Sequence, residues 1–301
     1  MRILIIGGSG FVSGTLARVA LNAGHDVSVV TRGIKPLLSG VDPLVADRMD
    51  RDQFARIIED SKLEWDIVVD CIGYVPEDAH QDMEVFRNRT RQLIFISTDF
   101  VFDPAHRKFP QPVESDFYAD SGYGGNKRLC EIELAYGNLG DTEFTVFRPC
   151  HIYGPGSELG CLPNHARDPE LISKLQNAVP ISLVGGGHFL QQPIYAEDLA
   201  NLILSAMGNK SAYRRIFNTA GPDVIESRTY YKIIADVLGV EVTFQECPVD
   251  ECLTANPELA PFLTHRIYDL GELSESGLRV PSMSIMDGLR MHTESILARH
   301  K

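Results

Sequence analysis

In the first half of the chain, apolar positions come in short continuous runs that end on glycine or polar residues. "RILIIG", "HDVSVVTRG", "WDIVVDCIG", "RQLIFISTD" and "EFTVFRPCHIYG" are such runs. Each has the length of a strand, and near-continuous apolarity belongs to strands covered on both faces. Between them the spacing changes to three and four. "GFVSGTLARVALNAG", "MDRDQFARIIEDS" and "NKRLCEIELAYG" each gather their apolar residues along one helical stripe. Strands and helices alternate through about residue 155, which predicts an α/β fold, a doubly wound parallel sheet with helices on both faces. Ligands of such sheets sit beyond the carboxyl ends of the strands.

The pattern loosens after residue 155. "GPGSELGCLPNHARDP" reads as a long loop, whereas "PELISKLQNA", "YAEDLANLILSAM", "TYYKIIADVLG" and "IMDGLRMHTESILARH" read as helices. "RIFNTAG" and "VEVTFQE" read as short strands. Residues 1–155 are therefore expected to form the sheet portion, completed by segments near 181–220. Residues 156–301 form most of a smaller mixed portion.

Composition narrows the class. The 301 residues are 44% hydrophobic and 23% charged, as in globular proteins that bury a core. The net charge of -13 repels phosphate backbones, which argues against nucleic acid as a partner and tolerates a cationic small molecule. Six cysteines occur without a CxxC pair or a histidine cluster at ligand spacing, so reduced thiols in a cytoplasmic setting are expected, and no metal. No run of 18 apolar residues predicts a membrane span.

"GGSGFVSG" joins the first strand to the first helix and offers Gly7, Ser9, Gly10, Phe11 and Val12. Glycines there allow a tight turn and let backbone N–H groups approach a pyrophosphate at the helix N-terminus. They would equally serve a plain strand-to-helix turn. The second strand ends in Thr31 and Arg32, where an acid often holds an adenosine ribose. An arginine suits a 2′-phosphate, so NADP is favoured with NAD as the alternative; the competing reading is a solvated loop arginine. Asp47 and Arg48 follow a third short strand and would border the adenine. Cys71, Ile72 and Gly73 end the fourth, where the backbone would pass the ribose and nicotinamide.

"SGYGGNKRLCE" sets Tyr123 and Lys127 four positions apart, one turn apart on one helical face. A tyrosine titrates near pH 10 and needs a nearby positive charge to exchange a proton at neutral pH. Lys127 would supply it. Ser97 and Thr98, at the end of "FIST", offer a hydroxyl for a developing alkoxide. The bland reading is a tyrosine packed on a helix beside a solvated lysine.

With "FRPCHIYGPG", "IYAEDLANLI", "FNTAG" and "DGLR", these stretches resemble an extended short-chain dehydrogenase/reductase of the NAD-dependent epimerase/dehydratase group. The resemblance implies a Rossmann-type sheet and a smaller substrate-binding portion. It implies Tyr123 as acid/base, Lys127 as ribose ligand and tuner of Tyr123, and Thr98 as hydroxyl partner with Ser97 its alternative. Pro149 and His151 would back the nicotinamide and border the substrate, together with Asp99 and Phe100.

Three departures shape the activity. Dehydratases of the group carry two acids after the threonine; here Asp99 is followed by Phe100, which disfavours elimination and resembles a dTDP-4-dehydrorhamnose reductase loop. Gln191 and Gln192 stand where an arginine usually grips a nucleotide diphosphate. The segment between the fourth and fifth strands is short, as in an atypical branch that includes plastid stem-loop RNA-binding proteins. The expectation is an NAD(P)-dependent oxidoreductase that reduces a keto group of a sugar or sugar-like substrate, plain or aminated, with Gln191 among its contacts. An epimerase is the alternative, and a non-catalytic NADP- or RNA-binding protein the second. The partner expected is a small carbonyl or hydroxyl compound, and the resemblance also suggests a homodimer.

Overall fold

The computed structural model describes residues 1–164 and 167–299. The first half alternates β1 (Arg2–Ile6), α1 (Phe11–Asn22), β2 (Asp26–Thr31), β3 (Asp42–Val45), α2 (Arg51–Asp60), β4 (Ile67–Asp70), α3 (Pro76–Phe86), β5 (Gln92–Ile96), α4 (Gly122–Tyr136) and β6 (Glu143–Pro149). Next come β7 (Ile152–Tyr153), α5 (Leu171–Gln176), β8 (Ile181–Val184), β9 (Leu190–Gln191), β10 (Ile194–Tyr195), α6 (Ala196–Ala206) and β11 (Arg215–Thr219). The remainder holds β12 (Ile225–Glu226), α7 (Ser227–Leu238), β13 (Phe244–Cys247), α8 (Val249–Ala255), α9 (Gly271–Glu275) and α10 (Ile285–Arg299).

Seven strands form a Rossmann-type sheet in the order β11-β6-β5-β4-β1-β2-β3, every neighbouring pair parallel. Strand order reverses between β1 and β4, which opens a crevice at their carboxyl ends. The period-two geometry of a strand splits β1 between two cores. Ile3 and Ile5 pack with Leu16 and Ala20 of α1 and Leu199 and Ile203 of α6. Leu4 and Ile6 pack with Phe54 and Ile58 of α2, Met83 and Phe86 of α3, and Leu134 of α4. Each large apolar side chain so buried contributes roughly 1.5–3 kcal/mol.

Of the segments near 181–220, Arg215–Thr219 enters the central sheet beside β6, with Arg215 opposite Thr145. Ile181–Val184 instead pairs with β13 in the smaller portion, Ile181 opposite Phe244. That portion has its own core, built from Tyr153, Leu171, Leu175, Tyr230, Ile234, Leu289 and Ile296. Among the described residues no helix is long and apolar enough to cross a membrane.

Candidate active site

The turn after β1 is built for close approach. Gly7 and Gly8 have φ of 120° and 103°, where side chains are strained. A Cβ on Gly8 would lie 2.6 Å from Cγ1 of Val29, so glycine alone lets the turn rest on β2. At the start of α1 the Gly10 N–H donates to Ser13 Oγ at 3.2 Å. A cavity of about 600 Å³ opens over this turn, lined by Gly7, Ser9, Gly10, Ser13, Thr31, Arg32, Lys35, Asp47, Arg48 and Ile72 among others. A bare glycine cradle, a helix N-terminus and two cations at the end of β2 fit the phosphates of a dinucleotide.

Arg48 contributes to that cavity from beneath. Its guanidinium is 2.8 Å from Asp70 and 3.0 Å from Asp82, and it also donates to the Asp78 carbonyl at 3.0 Å. Burial and the neighbouring carboxylate charge push the Asp82 carboxyl well above the ordinary range. Burial would do the same to Asp70, but Arg48 outweighs it and holds Asp70 low. The charge of Arg48 is thus spent on holding β3, β4 and α3 together at the groove floor. Arg32 is exposed and faces no such demand.

A second cavity of about 580 Å³ continues along the rim and is lined by Val12, Cys71, Ser97, Thr98, Asp99, Phe100, Tyr123, Lys127, Pro149 and His151. Tyr74 lines both cavities. Phe11, at the first turn of α1, lies under the Arg167 guanidinium at 5.4 Å.

Tyr123 and Lys127 share a face of α4. Two glycines between them let the helix sink. A Cβ on Gly124 would fall 2.0 Å from the Phe100 carbonyl oxygen, and one on Gly125 would fall 2.8 Å from the Asp120 carbonyl carbon. So seated, Tyr123 lies beside Thr98, whose Oγ1 accepts from the Phe100 N–H at 3.3 Å. Burial pushes the Tyr123 phenol up to about 12, while the neighbouring Thr98 hydroxyl pulls it down. Lys127 is 1% exposed and donates to the Gly73 and Ile96 carbonyls. Its ammonium lies 4.3 Å from the Phe95 ring centroid. Burial pulls Lys127 below the ordinary lysine value, and Asp70 pulls the other way.

Ser97 and Thr98 are separated by what each touches. Ser97 Oγ donates to Glu131 at 2.6 Å and is 3% exposed. Glu131 also takes a bidentate pair from Arg148 at 2.9 and 2.7 Å. Burial would raise the Glu131 carboxyl, but Arg148 more than offsets this and holds it low. Thr98 is the hydroxyl left beside Tyr123.

Asp99 lines the rim, yet its carboxylate is bound to Arg266 and to the Tyr268 hydroxyl, with Arg107 at 3.4 Å. Burial would raise its carboxyl; Arg266 and Arg107 overcome that and keep it low. Gln191 is not brought to either cavity. It is 1% exposed on β9, with Arg266 beside it in parallel register. His151 packs edge-on against Tyr230 at 6.3 Å, and burial together with Arg167 lowers it to about 3.

No motif in the sequence singles out Gly8, Glu131, Arg107, Arg167, Arg266 or Tyr268. Glu131 carried a signal, the turn spacing from Lys127. Arg266 and Tyr268 carried none, since they lie 167 and 169 positions from Asp99.

The NAD dependent epimerase/dehydratase family model matches residues 3–220. Chloroplast stem-loop binding protein of 41 kDa b from Arabidopsis thaliana is 27% identical over 235 residues, 73% of this chain and 58% of that protein. The chain thus spans under two thirds of that relative's length. 2′-Dehydrokanamycin reductase from Streptomyces kanamyceticus is 25% identical over 285 residues, 91% of this chain and 78% of that protein. The structure of a Thermotoga maritima UDP-glucose 4-epimerase superposes with a TM-score of 0.82 at 18% identity, covering 100% of both chains.

Proposed function

The chain belongs to the NAD dependent epimerase/dehydratase family, and from that premise we propose that it is an oxidoreductase that uses NADPH to reduce a keto group of a sugar or sugar-like substrate. One observation carries the reading. Tyr123 stands beside Thr98, with Lys127 buried one turn along α4, at the rim that continues from the glycine cradle.

NADPH, when bound, supplies the hydride. Gly7, Ser9 and Gly10 would hold its pyrophosphate, and Arg32 with Lys35 the 2′-phosphate. The Thr98 and Tyr123 hydroxyls meet at one point of the rim, where a substrate carbonyl oxygen accepts from both. As charge develops on that oxygen, Tyr123 Oη gives up its proton to it. The Lys127 ammonium, one turn along α4, stabilises the phenolate left behind. The raised Tyr123 value keeps the phenol protonated at neutral pH, as proton donation requires.

The same three side chains would serve an epimerase, which regenerates its own cofactor. A panel of keto sugars incubated with the purified chain and NADPH separates the two. Consumption of one NADPH per ketone is expected; tightly retained cofactor and turnover without added NADPH would replace the reductase reading by the epimerase one. The likeness to a stem-loop binding protein supports a third reading. A net charge of -13 weighs against it, and retention of a stem-loop RNA at physiological salt without any NADPH turnover would establish it.

A further inference from the structure

Phe100 and Tyr123 also wall a further cavity of about 750 Å³. Its other large side chains are Phe102, Tyr118 and Phe262, with Pro104 and Pro261 between them. Phe100 and Phe262 meet edge to face at 5.3 Å, and Phe100 and Tyr123 at 6.1 Å. This wall is rigid, aromatic and continuous with the Tyr123 ring.

Two carboxylates reach the cavity, and the arginines behind its rings are already paired: Arg266 lies over Phe100 at 4.2 Å, Arg128 over Tyr118 at 3.9 Å and Arg148 over Phe102 at 5.0 Å, each ion-paired to Asp99 or Glu131. Asp103 and Asp120 line it, and Asp120 is exposed, with one carboxylate oxygen accepting from the Ser121 hydroxyl at 2.8 Å. Asp103 accepts from the Ala105 N–H at 3.1 Å and contacts His106, which holds its carboxyl below the ordinary range. Arg107 is the one basic residue among the described lining residues, and its guanidinium is committed to Asp99, 2.6 Å from the backbone carbonyl. Its side chain is 2% exposed, and its guanidinium also donates to the Tyr268 hydroxyl at 3.3 Å.

A diphosphate would meet two carboxylates here and no uncommitted cation. An ammonium on a pyranose ring meets the opposite conditions. Aromatic faces attract cations, the C–H faces of a sugar pack on rings, and carboxylates balance the charge. We propose that this cavity receives an ammonium-bearing sugar ring of the substrate, held by its aromatic walls with Asp120 and Asp103, while an adjoining keto-bearing ring reaches Tyr123. The assignment rests on the keto-sugar reading above and names its substrate class as an amino-sugar conjugate rather than a nucleotide sugar.

The test uses the full chain and two probes on one sugar backbone, the β-1,4-linked disaccharide of glucosamine, which carries ammonium groups, and its N,N′-diacetyl counterpart, in which neutral acetamides replace them. Saturation-transfer NMR at low salt reports binding and which ring lies against aromatic protons. The charged disaccharide should bind about tenfold tighter than the acetylated one. Asp120→Asn should weaken it about fivefold, within the range of an exposed charge pair. Phe262→Leu should weaken the aromatic transfer, the other four rings keeping part of it. Unchanged melting temperature and NADPH affinity identify variants that have kept the fold. Equal binding of the two probes, or undiminished binding in an Asp103→Asn, Asp120→Asn double variant, overturns the proposal. If the charged probe binds as described but no ketone consumes NADPH, the redox reading fails and the cavity assignment stands.

Discussion

Thr98 and Tyr123 stand side by side at the rim, and the Phe100 N–H holds the Thr98 hydroxyl from behind. Removing the phenolic oxygen with Tyr123→Phe should lower kcat by roughly 10²–10⁴ while NADPH affinity, read by fluorescence, stays within about twofold. Loss of cofactor binding instead would assign Tyr123 to the groove. Ser97 and Thr98 should part company in kinetics. Thr98→Val is expected to cost about 10² in kcat, as for a lost oxyanion donor. Ser97→Ala should leave kcat nearly intact, since its hydroxyl is spent on Glu131. Because burial holds the Tyr123 phenol near 12, its ionisation should be missing below about pH 11. The ultraviolet difference titration of the parent chain against Tyr123→Phe checks this, and a phenolate appearing near the unperturbed value of about 10 would contradict it.

At the scale of elements, the seat of α4 decides the geometry. Gly124→Ala puts a methyl group 2.0 Å from the Phe100 carbonyl, so the helix must lift. Overpacking of this kind costs about 1–3 kcal/mol, and a displacement near 1 Å costs about 10² in rate. A variant with parental melting temperature and kcat would show that the seat is not needed. The sequence made the alternating elements legible because each buried strand is apolar on both sides and each helix carries one stripe. It also made Tyr123, Lys127 and Thr98 legible, because their spacing is local or falls at a strand end. What it hid is non-local. Gln191 and Gln192 read as a missing arginine along one strand, yet the neighbouring chain brings Arg266 into register with Gln191. Arg48 read only as a border of the adenine, because nothing nearby in sequence announces Asp70, Asp78 and Asp82 as its partners.

Across the whole molecule, buried ion pairs tie the rim to the sheet. Glu131 joins α4 to β5 and β6 through Ser97 and Arg148, and Asp99 joins the Tyr123 rim to Arg266 and Tyr268. Both carboxyls are held below their unfolded values, so the stability they lend is fully present above about pH 4 and is lost as pH falls through the lower folded values. Glu131→Gln should flatten that acid limb and, by leaving Arg148 buried without its counter-charge, cost about 3–5 kcal/mol at neutral pH. Urea unfolding at pH 7 and in the range 3–5 measures both effects, and an unchanged acid limb would remove Glu131 from the account. The placement of β11 reaches further still. The seventh strand lies beside β6 only after the chain has passed through residues 150–214, so a nascent polypeptide cannot finish its nucleotide-binding half before much of the other half has left the ribosome. Synthesis arrested before residue 215 should leave the edge of β6 bare and prone to sticking, whereas arrest beyond residue 219, with room for the exit tunnel, should yield a sheet that already resists protease.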